Sequence, residues 1–382
     1  MEDVRGVQLH PFIYKYGAEC WPPREDSPGH IMDPWRFEYS GARQTRGYVV
    51  SYSQPQEDFL VDKKNVQGLL RGPMVAVPTP FKEDFSLDLD TVKENIRFMI
   101  EGGVVNGQGA LLVGAAGGEF PTMSVEERKA VMTASVEAAA GRVPILTTIQ
   151  HTDYRAIIDM AQHASKAGIL GAQLGPAYYY ESTDHDVYNL FKLVAANSDV
   201  NLMIYHTWWS GFKMGPDLLN KLIGLPNTVA VKWSHPDMAA YRDGILAMKD
   251  RIAVIDNAGN HILAHIYGSS AFITHLSAFW PQYPLKVWRQ LEAKDYDGLI
   301  KTLAAFKWKW GEWVGKVCAF TGGEGPFIKA AMEEVGLKVG PPRPPSARPT
   351  PDLIAELRHL LKQAGTPKAK LKAEDHVVSR SS

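Results

Sequence analysis

The chain of 382 residues has few cysteines, no excess of charge of either sign and no long apolar run. Its two cysteines, Cys20 and Cys318, form no C-x-x-C pair or ligand cluster, so we expect neither a disulfide framework nor a structural zinc site. The formal charge of -1, from 41 basic and 42 acidic residues, gives no electrostatic reason to expect a nucleic acid partner. No stretch is apolar for the ~20 residues of a membrane span, and the start has no apolar signal core. We therefore expect a soluble cytoplasmic protein.

The first 72 residues differ in composition from those that follow. They are rich in proline, glycine and aromatic residues and show little helical periodicity. Because aromatic residues are unusual in disordered segments, we expect an irregular arm that packs on the body or on a neighbouring subunit. The predicted organisation is an N-terminal extension (1–72), a barrel (73–280), barrel-completing and C-terminal helices (281–365) and a mobile tail (366–382).

From residue 74 onward, short apolar runs alternate with amphipathic windows typical of helices. The runs are 74–77, 110–113, 144–149, 171–174, 201–205, 228–232, 252–255 and 271–274. Further helical windows at 284–293, 297–314, 327–335 and 351–363 follow the last run. Eight rounds of alternation predict an α/β fold, a (β/α)8 TIM barrel with a C-terminal helical extension; the alternative is a doubly wound open sheet.

One apolar run, 228–232, ends in a lysine and has the pattern of a buried strand. If side chains alternate and Ala230 faces the interior, Lys232 faces it too, while Val229 and Val231 face the other way. In an apolar cavity an ammonium group loses hydration, its pKa falls, and the neutral amine becomes a nucleophile for a carbonyl carbon. The alternative is a lysine at a strand end that reaches solvent or pairs with a carboxylate.

Other residues suited to chemistry follow neighbouring strands, where a barrel of this kind has its active site. The small-residue loop 114–122 lets backbone N–H groups approach an anion such as a substrate carboxylate. The fifth run ends in Tyr205, which alternation from Met203 turns inward beside Lys232, since neighbouring strands lie ~4.8 Å apart. A phenol beside an amine nucleophile suits proton transfer to and from a carbinolamine.

These motifs together resemble the dihydrodipicolinate synthase and N-acetylneuraminate lyase family of class I pyruvate aldolases, over residues 72–365. They are Pro78-Thr79-Pro80-Phe81, Gly118-Glu119-Phe120-Pro121-Thr122, Tyr178-Tyr179-Tyr180, Ile204-Tyr205 and Val231-Lys232. The resemblance implies that Lys232 forms a Schiff base with a 2-oxo acid and that Tyr205 is the proton-transferring phenol. It also implies that the backbone at Ala116 and Gly117 holds the carboxylate.

The resemblance further implies that Tyr178 or Tyr179 lines the site or contacts another subunit. Since members of the family are commonly tetramers built from dimers, we expect a homo-oligomer, a dimer or a tetramer. The Schiff-base chemistry that the resemblance implies needs no cofactor and no metal, so we expect neither.

The departures from the family pattern bear on the substrate. Ala116 and Gly117 stand where the family usually has hydroxyl residues that relay protons, so water, Tyr179 or His206 would have to substitute. The segment 206–213, His-Thr-Trp-Trp-Ser-Gly-Phe-Lys, lacks the arginine that receives a second carboxylate in the lysine-biosynthesis branch. Its aromatic residues favour a large apolar acceptor, because they supply area rather than charge.

We therefore predict a carbon-carbon lyase that joins or separates pyruvate and a bulky, aromatic aldehyde. The segment 212–213 and the Gly-Pro-x-Arg-Pro-Pro pattern resemble those of the hydratase-aldolase branch. The predicted catalytic residues are Lys232, Tyr205 and Tyr179. The predicted substrate-binding residues are Ala116, Gly117, Gly118, Tyr178, His206, Trp208, Trp209, Ser234 and Asn257. The small-molecule partners are then a 2-oxo acid and an aldehyde.

Three alternatives remain at the level of sequence. The same imine would serve a hydro-lyase that dehydrates a 2-oxo-3-deoxy sugar acid. The spacing of His261 and His265 would suit two ligands of a metal-dependent aldolase, although no acidic ligand stands at a recognisable spacing. The missing hydroxyls at Ala116 and Gly117 would fit a catalytically inactive barrel that binds 2-oxo acids or serves as a scaffold.

Overall fold

The structure, a computed structural model, describes residues 63–179, 181–207 and 212–369. Within them, eight parallel strands close into a barrel in sequence order, and the first strand pairs with the eighth. The strands are β1 (Gly72–Ala76), β2 (Ala110–Val113), β3 (Ile145–Thr148), β4 (Gly171–Leu174), β5 (Leu202–His206), β6 (Thr228–Trp233), β7 (Ala253–Asp256) and β8 (Ala271–Thr274). The predicted (β/α)8 barrel is confirmed.

Helices follow each strand and continue beyond the barrel. They are α1 (Lys63–Leu69), α2 (Leu89–Glu101), α3 (Val125–Ala139), α4 (Tyr154–Ala167), α5 (Asp184–Asn197), α6 (Pro216–Ile223), α7 (Met238–Met248), α8 (His261–Tyr267), α9 (Gln282–Glu292), α10 (Tyr296–Thr302), α11 (Trp308–Phe320), α12 (Gly325–Val335) and α13 (Pro351–Ala364). The window predicted at 297–314 is helical throughout, and one π-helical turn at Leu303–Lys307 joins α10 to α11 without a break. No described helix is long and apolar enough to cross a bilayer.

Local sequence signals set where several helices begin. Ser124 accepts a hydrogen bond from the N–H of Glu127, whose carboxylate accepts one from the Ser124 N–H, forming a capping box at α3. Asp153 and Asp237 cap α4 and α7 through their side chains alone, each accepting a hydrogen bond from a backbone N–H in the first turn. These caps orient the loops at the carboxyl ends of the strands.

The apolar side chains form two layers. Leu112, Leu146 and Ala230 belong to a cluster inside the barrel, whereas Val113 and Val231 belong to the layer between strands and helices. This alternation is the one expected of strands whose successive side chains point to opposite faces. It turns alternate residues at the carboxyl end of each strand toward the mouth of the barrel.

Val229 was predicted to face the helices, and that prediction is wrong. Val229 and Ala230 both join the inner cluster. The register between β5 and β6 shifts at Leu202 and Met203, because Leu202 pairs with Thr228 while Met203 pairs with Ala230. Such an extra residue in one strand interrupts the alternation locally. From Ala230 onward the alternation is regular, so the expected orientation of Lys232 is unaffected.

The end of the predicted irregular arm is a helix. Val66 in α1 and Leu70, the residue after its end, lie four residues apart, and both are buried in the inner cluster of the barrel. Because β1 begins only three residues after the end of α1, this helix closes the amino end of the barrel, opposite the mouth. The rest of the arm, residues 1–62, lies outside the described part of the chain, as does the end of the predicted tail, 370–382.

Candidate active site

Lys232 and Tyr205 lie side by side at the carboxyl ends of β6 and β5. They are partners in the register of the two strands, and the Lys232 Nζ lies 4.7 Å from the centroid of the Tyr205 ring. Lys232 is 5% exposed and has no carboxylate within 4.0 Å among the described residues. Burial lowers the pKa of Lys232, and the charge of Glu324 opposes part of that shift. The sequence-predicted nucleophile therefore sits where its neutral form is favoured.

The loop after β2 presents two backbone donors. The N–H groups of Gly118 and Glu119 donate to the carbonyls of Ala115 and Ala116. The N–H groups of Ala116 and Gly117 have no acceptor within the described ranges. A β-carbon on Gly117 would lie 3.1 Å from the β-carbon of Ala76, so the loop packs closely on the end of β1. This geometry leaves the two N–H groups available to an anion.

A buried network holds this loop in place. Glu119, with φ of 59°, is 5% exposed, and its Oε1 lies 2.7 Å from the Nζ of Lys329 on α12. Its Oε2 accepts a hydrogen bond from the N–H of Arg343 at 2.9 Å. Lys329 also donates to the carbonyl of Pro341 and lies over the ring of Phe81. Burial lowers the pKa of Lys329 to about 8.

Ser234 and His206 fasten the ends of β5 and β6 to each other. The His206 Nδ1–H donates to the Ser234 carbonyl at 2.9 Å, and the Ser234 hydroxyl donates to the His206 carbonyl at 3.3 Å. The imidazole stacks on Trp233, which belongs to the outer layer. His206 therefore lies on the face of β5 opposite Tyr205. Burial lowers the pKa of His206 to about 4, so its ring is neutral at neutral pH.

Asn257 follows β7 and presents an amide at the mouth. Its backbone N–H donates to the Trp233 carbonyl at 2.8 Å, and alternation from Ile255 turns its side chain inward. The Nδ2 is buried, and no acceptor for it lies in the described part of the chain. A buried donor without an acceptor is costly, so this amide is suited to bind a substrate oxygen.

Several inward polar residues are not among those predicted from the sequence. Thr148 and Gln173 are buried inside β3 and β4, and the Gln173 Nε2 lies 3.3 Å from the Oε1 of Gln150. A β-carbon on Gly175 would lie 2.8 Å from the Gln150 Nε2 and 3.4 Å from Cδ1 of Tyr205. The amide of Gln150 thus lies close to the proposed proton carrier. Alternation from Leu146 is the signal that predicts an inward Thr148.

The tyrosines after β4 lie at the surface of the single chain. Tyr178 is 50% exposed and Tyr179 is 87% exposed, and Tyr179 has φ of 92°. A left-handed conformation is rare for a bulky residue and indicates a constrained loop. Tyr180, Trp208 and Trp209 lie outside the described residues.

The two histidines of α8 have separate partners. The His261 Nδ1 lies 2.8 Å from Asp256 Oδ2, and Asp256 also accepts a hydrogen bond from the Tyr241 hydroxyl. The His265 Nε2 lies 3.3 Å from Glu292 on α9. Across the described ranges there is no group of three or more potential metal ligands. The pair therefore offers no shared metal site.

Comparisons with known proteins match most of the barrel. The model of the dihydrodipicolinate synthetase family matches residues 69–364. An uncharacterized DapA-like lyase of Thermococcus onnurineus is 26% identical over 306 residues, covering 77% of this chain and 99% of that protein. A 4-hydroxy-tetrahydrodipicolinate synthase of Exiguobacterium sibiricum is 26% identical over 283 residues, covering 73% and 93%.

A solved structure has the same architecture. YagE, a prophage protein of the dihydrodipicolinic acid synthase family from E. coli K12, was determined in complex with pyruvate. It superposes with a TM-score of 0.70 at 24% identity, covering 78% of this chain and 99% of its own. At that identity the likeness shows a shared fold.

Proposed function

The chain belongs to the dihydrodipicolinate synthetase family, and from that premise we propose a Schiff-base-forming lyase that acts on pyruvate and a bulky, aromatic aldehyde. The observation that carries the proposal is the buried Lys232 amine beside the Tyr205 ring at the mouth of the barrel. Burial favours the neutral amine, which is the form that attacks a carbonyl carbon.

The proposed reaction needs only the residues of this chain, protons and water. The Lys232 amine adds to the ketone of a 4-hydroxy-2-oxo acid, and uptake of one proton with loss of water leaves a protonated imine. A base removes the proton of the 4-hydroxyl, the C–C bond breaks, and its electron pair moves to the imine nitrogen. This releases the aldehyde and leaves an enamine. Protonation at carbon followed by hydrolysis then releases pyruvate.

The substrate carboxylate binds, in this proposal, to the N–H groups of Ala116 and Gly117. Their lack of acceptors within the described ranges and the close packing of Gly117 on β1 support the assignment. The Asn257 amide is a second donor, for a carboxylate or carbonyl oxygen at the same mouth. Charge-assisted hydrogen bonds of this kind are stronger than neutral ones, so a 2-oxo acid is favoured over a simple ketone.

We assign the proton transfers to Tyr205, with Tyr179 as a further candidate. His206 is left out of the proposed relay because it lies on the other face of β5, stacked on Trp233. The surface position of Tyr179 in the single chain fits a role at a contact with another subunit. We accordingly propose that the active form is a homo-oligomer.

The proposed aldehyde is bulky and uncharged. The segment after β5 carries Trp208 and Trp209 and no arginine, so it supplies apolar area rather than a partner for a second carboxylate. Phe212 packs against the outer apolar layer, and therefore supports the loop rather than lining the mouth.

Product analysis tests the reaction type. The purified chain is incubated with 4-hydroxy-2-oxo acids that carry aryl, sugar or carboxylate substituents, and the products are separated by mass. We expect pyruvate plus an aromatic aldehyde, with the aryl substrate fastest. A dehydrated 2-oxo acid would indicate the hydro-lyase instead, and turnover retained by Lys232→Ala would contradict the role of the amine.

A further inference from the structure

Gln150 places at the mouth of the barrel an amide that the proposed reaction has not used. It follows β3 by two residues and is half-buried. Its Oε1 accepts a hydrogen bond from the Nε2 of Gln173 at 3.3 Å and lies 3.4 Å from Oγ1 of Thr148. Because these buried neighbours hold the oxygen, the N–H groups of the amide lie on its other side. Within the described ranges they have no acceptor.

The main chain of Gln150 is fixed as well. Arg128 on α3, which is 3% exposed, donates from Nη1 to the Gln150 carbonyl at 2.9 Å and from Nη2 to the Thr148 carbonyl at 2.7 Å. The N–H of Ile149 donates to the carbonyl of Gln173 at 3.0 Å, so the pairing of β3 with β4 continues to this point. Hydrogen bonds from a charged donor are stronger than neutral ones. Gln150 is therefore held at its main chain and at its amide oxygen, with the amide N–H groups left over.

The amide faces Tyr205 across Gly175, which follows β4. A β-carbon on Gly175 would lie 2.8 Å from the Gln150 Nε2 and 3.4 Å from Cδ1 of Tyr205. A side chain at this position would push the amide away, so glycine allows the amide and the ring to approach each other. Tyr205 is in turn the strand partner of Lys232, whose Nζ lies 4.7 Å from the ring centroid. The three side chains therefore follow one another around the mouth, with Tyr205 in the middle.

We propose that the Gln150 amide binds the oxygen on C4 of the substrate, the oxygen that the released aldehyde keeps. The inference rests on the proposed function, in which Lys232 holds C2 and Tyr205 takes the proton of the 4-hydroxyl. That oxygen must then lie at Tyr205, which Gln150 borders on the side away from Lys232. Loss of the proton makes the oxygen negative before the C–C bond breaks, and an N–H donor fixed in advance stabilises this charge. Gln150 donates a hydrogen bond and transfers no proton.

The substrate carboxylate has other donors in the same reaction. The N–H groups of Ala116 and Gly117 and the amide of Asn257 are available to it, from the loop after β2 and from the end of β7. Pyruvate has the carboxylate and the C2 carbonyl but no oxygen on C4. Gln150 should therefore act on the cleavage of a 4-hydroxy-2-oxo acid and not on the binding of pyruvate.

Two measurements on Gln150→Met and Gln150→Leu, which remove the donor and keep an apolar side chain, test the assignment. The first is kcat/KM for the release of pyruvate from an aryl-substituted 4-hydroxy-2-oxo acid. We expect it to fall about 100-fold in both variants, mainly through kcat, because a donor to a developing oxyanion is lost. The second is the pyruvate concentration for half-maximal trapping by borohydride at Lys232, which we expect to stay within about twofold of the native value.

Gln162→Met is the matched control. Gln162 is exposed on α4, where its Nε2 donates to the Asn197 carbonyl at 2.9 Å. Because it lies away from the mouth, neither quantity should change in this variant. Circular dichroism verifies folding, and either variant of Gln150 alone suffices for the test if the other does not fold.

The outcomes distinguish this inference from the proposed function. Unchanged cleavage by a folded Gln150 variant would overturn the role of the amide, while the adduct on the native chain still supported the lyase. A rise in the pyruvate concentration for half-maximal trapping that matched the loss in kcat/KM would place Gln150 at the carboxylate and overturn its assignment to C4. A native chain that formed no pyruvate adduct, or cleaved none of the 4-hydroxy-2-oxo acids, would overturn the proposed function and this inference with it.

Discussion

The buried pair of Glu119 and Lys329 should make a large contribution to stability, because it joins the proposed carboxylate-binding loop to α12. Lys329→Met keeps much of the side-chain volume but leaves the Glu119 carboxylate, 5% exposed, without its cation. Removing one partner of a buried pair costs about 3–5 kcal/mol, and we expect a loss of that size. The N–H of Arg343 remains as a donor to Glu119 and keeps the loss from being larger.

The reverse substitution should cost less. In Glu119→Gln the buried amine of Lys329 loses its counter-charge, but its pKa is already lowered to about 8. The Lys329 amine of this variant can therefore lose its proton, and the variant should be less stable than the native chain by about 1–2 kcal/mol near neutral pH. Replacing both residues removes both charges, so the double variant should be more stable than the sum of the single losses predicts, by about 2 kcal/mol.

This double-mutant cycle is measured as the free energy of unfolding in urea at pH 7, for the native chain, the two single variants and the double variant. Lys316→Met is the matched control, because the Lys316–Glu356 pair at 2.8 Å is exposed and should contribute less than about 1 kcal/mol. A loss below 1 kcal/mol for Lys329→Met, or strict additivity in the double variant, would refute the reasoning.

Three further predictions follow from the packing. Burial holds the pKa of His206 at about 4, against 6.5 in the unfolded chain, so the contribution of the neutral ring to stability is complete above pH 6.5 and falls as the pH drops. Between pH 7 and pH 5 the free energy of unfolding in urea should therefore fall by about 2 kcal/mol more for the native chain than for His206→Gln. Equal losses in the two proteins would contradict this. Leu70→Ala should cost about 3 kcal/mol in the same assay, because Leu70 is 1% exposed at the closed end of the barrel, yet pyruvate trapping should persist. A loss under 1 kcal/mol would show that the burial of Leu70 contributes little to stability. Gly117→Ala should raise the pyruvate concentration for half-maximal trapping by about tenfold, because its β-carbon would crowd Ala76. Gly311→Ala, with open space around the new β-carbon, should leave that concentration unchanged. Equal values for the two variants would show that the loop after β2 does not bind pyruvate.

The sequence pattern was sufficient for the barrel and for its central pair of residues. Short apolar runs alternate with capped helices, and both signals are local, so strand order and helix starts follow from short windows. Lys232 and Tyr205 both end such runs, and a regular register in parallel strands brings the two residues together. His206 illustrates the same rule, since alternation from Tyr205 already places it on the opposite face.

Other features depend on distant contacts that no short window contains. The bulge that turns Val229 inward arises from how β5 pairs with β6, and the helical form of α1 becomes stable only when Val66 and Leu70 enter the barrel. Glu324 comes after an irregular turn with no periodic pattern, and only the closure of the barrel brings it to His275. Such residues are recognised from tertiary structure, because charge and burial there are set by neighbours far away in sequence.

The most direct test of the central claim is the intact mass of the chain after incubation with pyruvate and borohydride, for the native protein and Lys232→Ala. Reduction of the imine fixes pyruvate to the amine, so we expect a stable adduct on the native chain, located at Lys232 by peptide mapping, and none on the variant. An adduct of equal yield on Lys232→Ala, or no adduct on the native chain with pyruvate or other 2-oxo acids, would contradict the assignment of Lys232 as the Schiff-base residue.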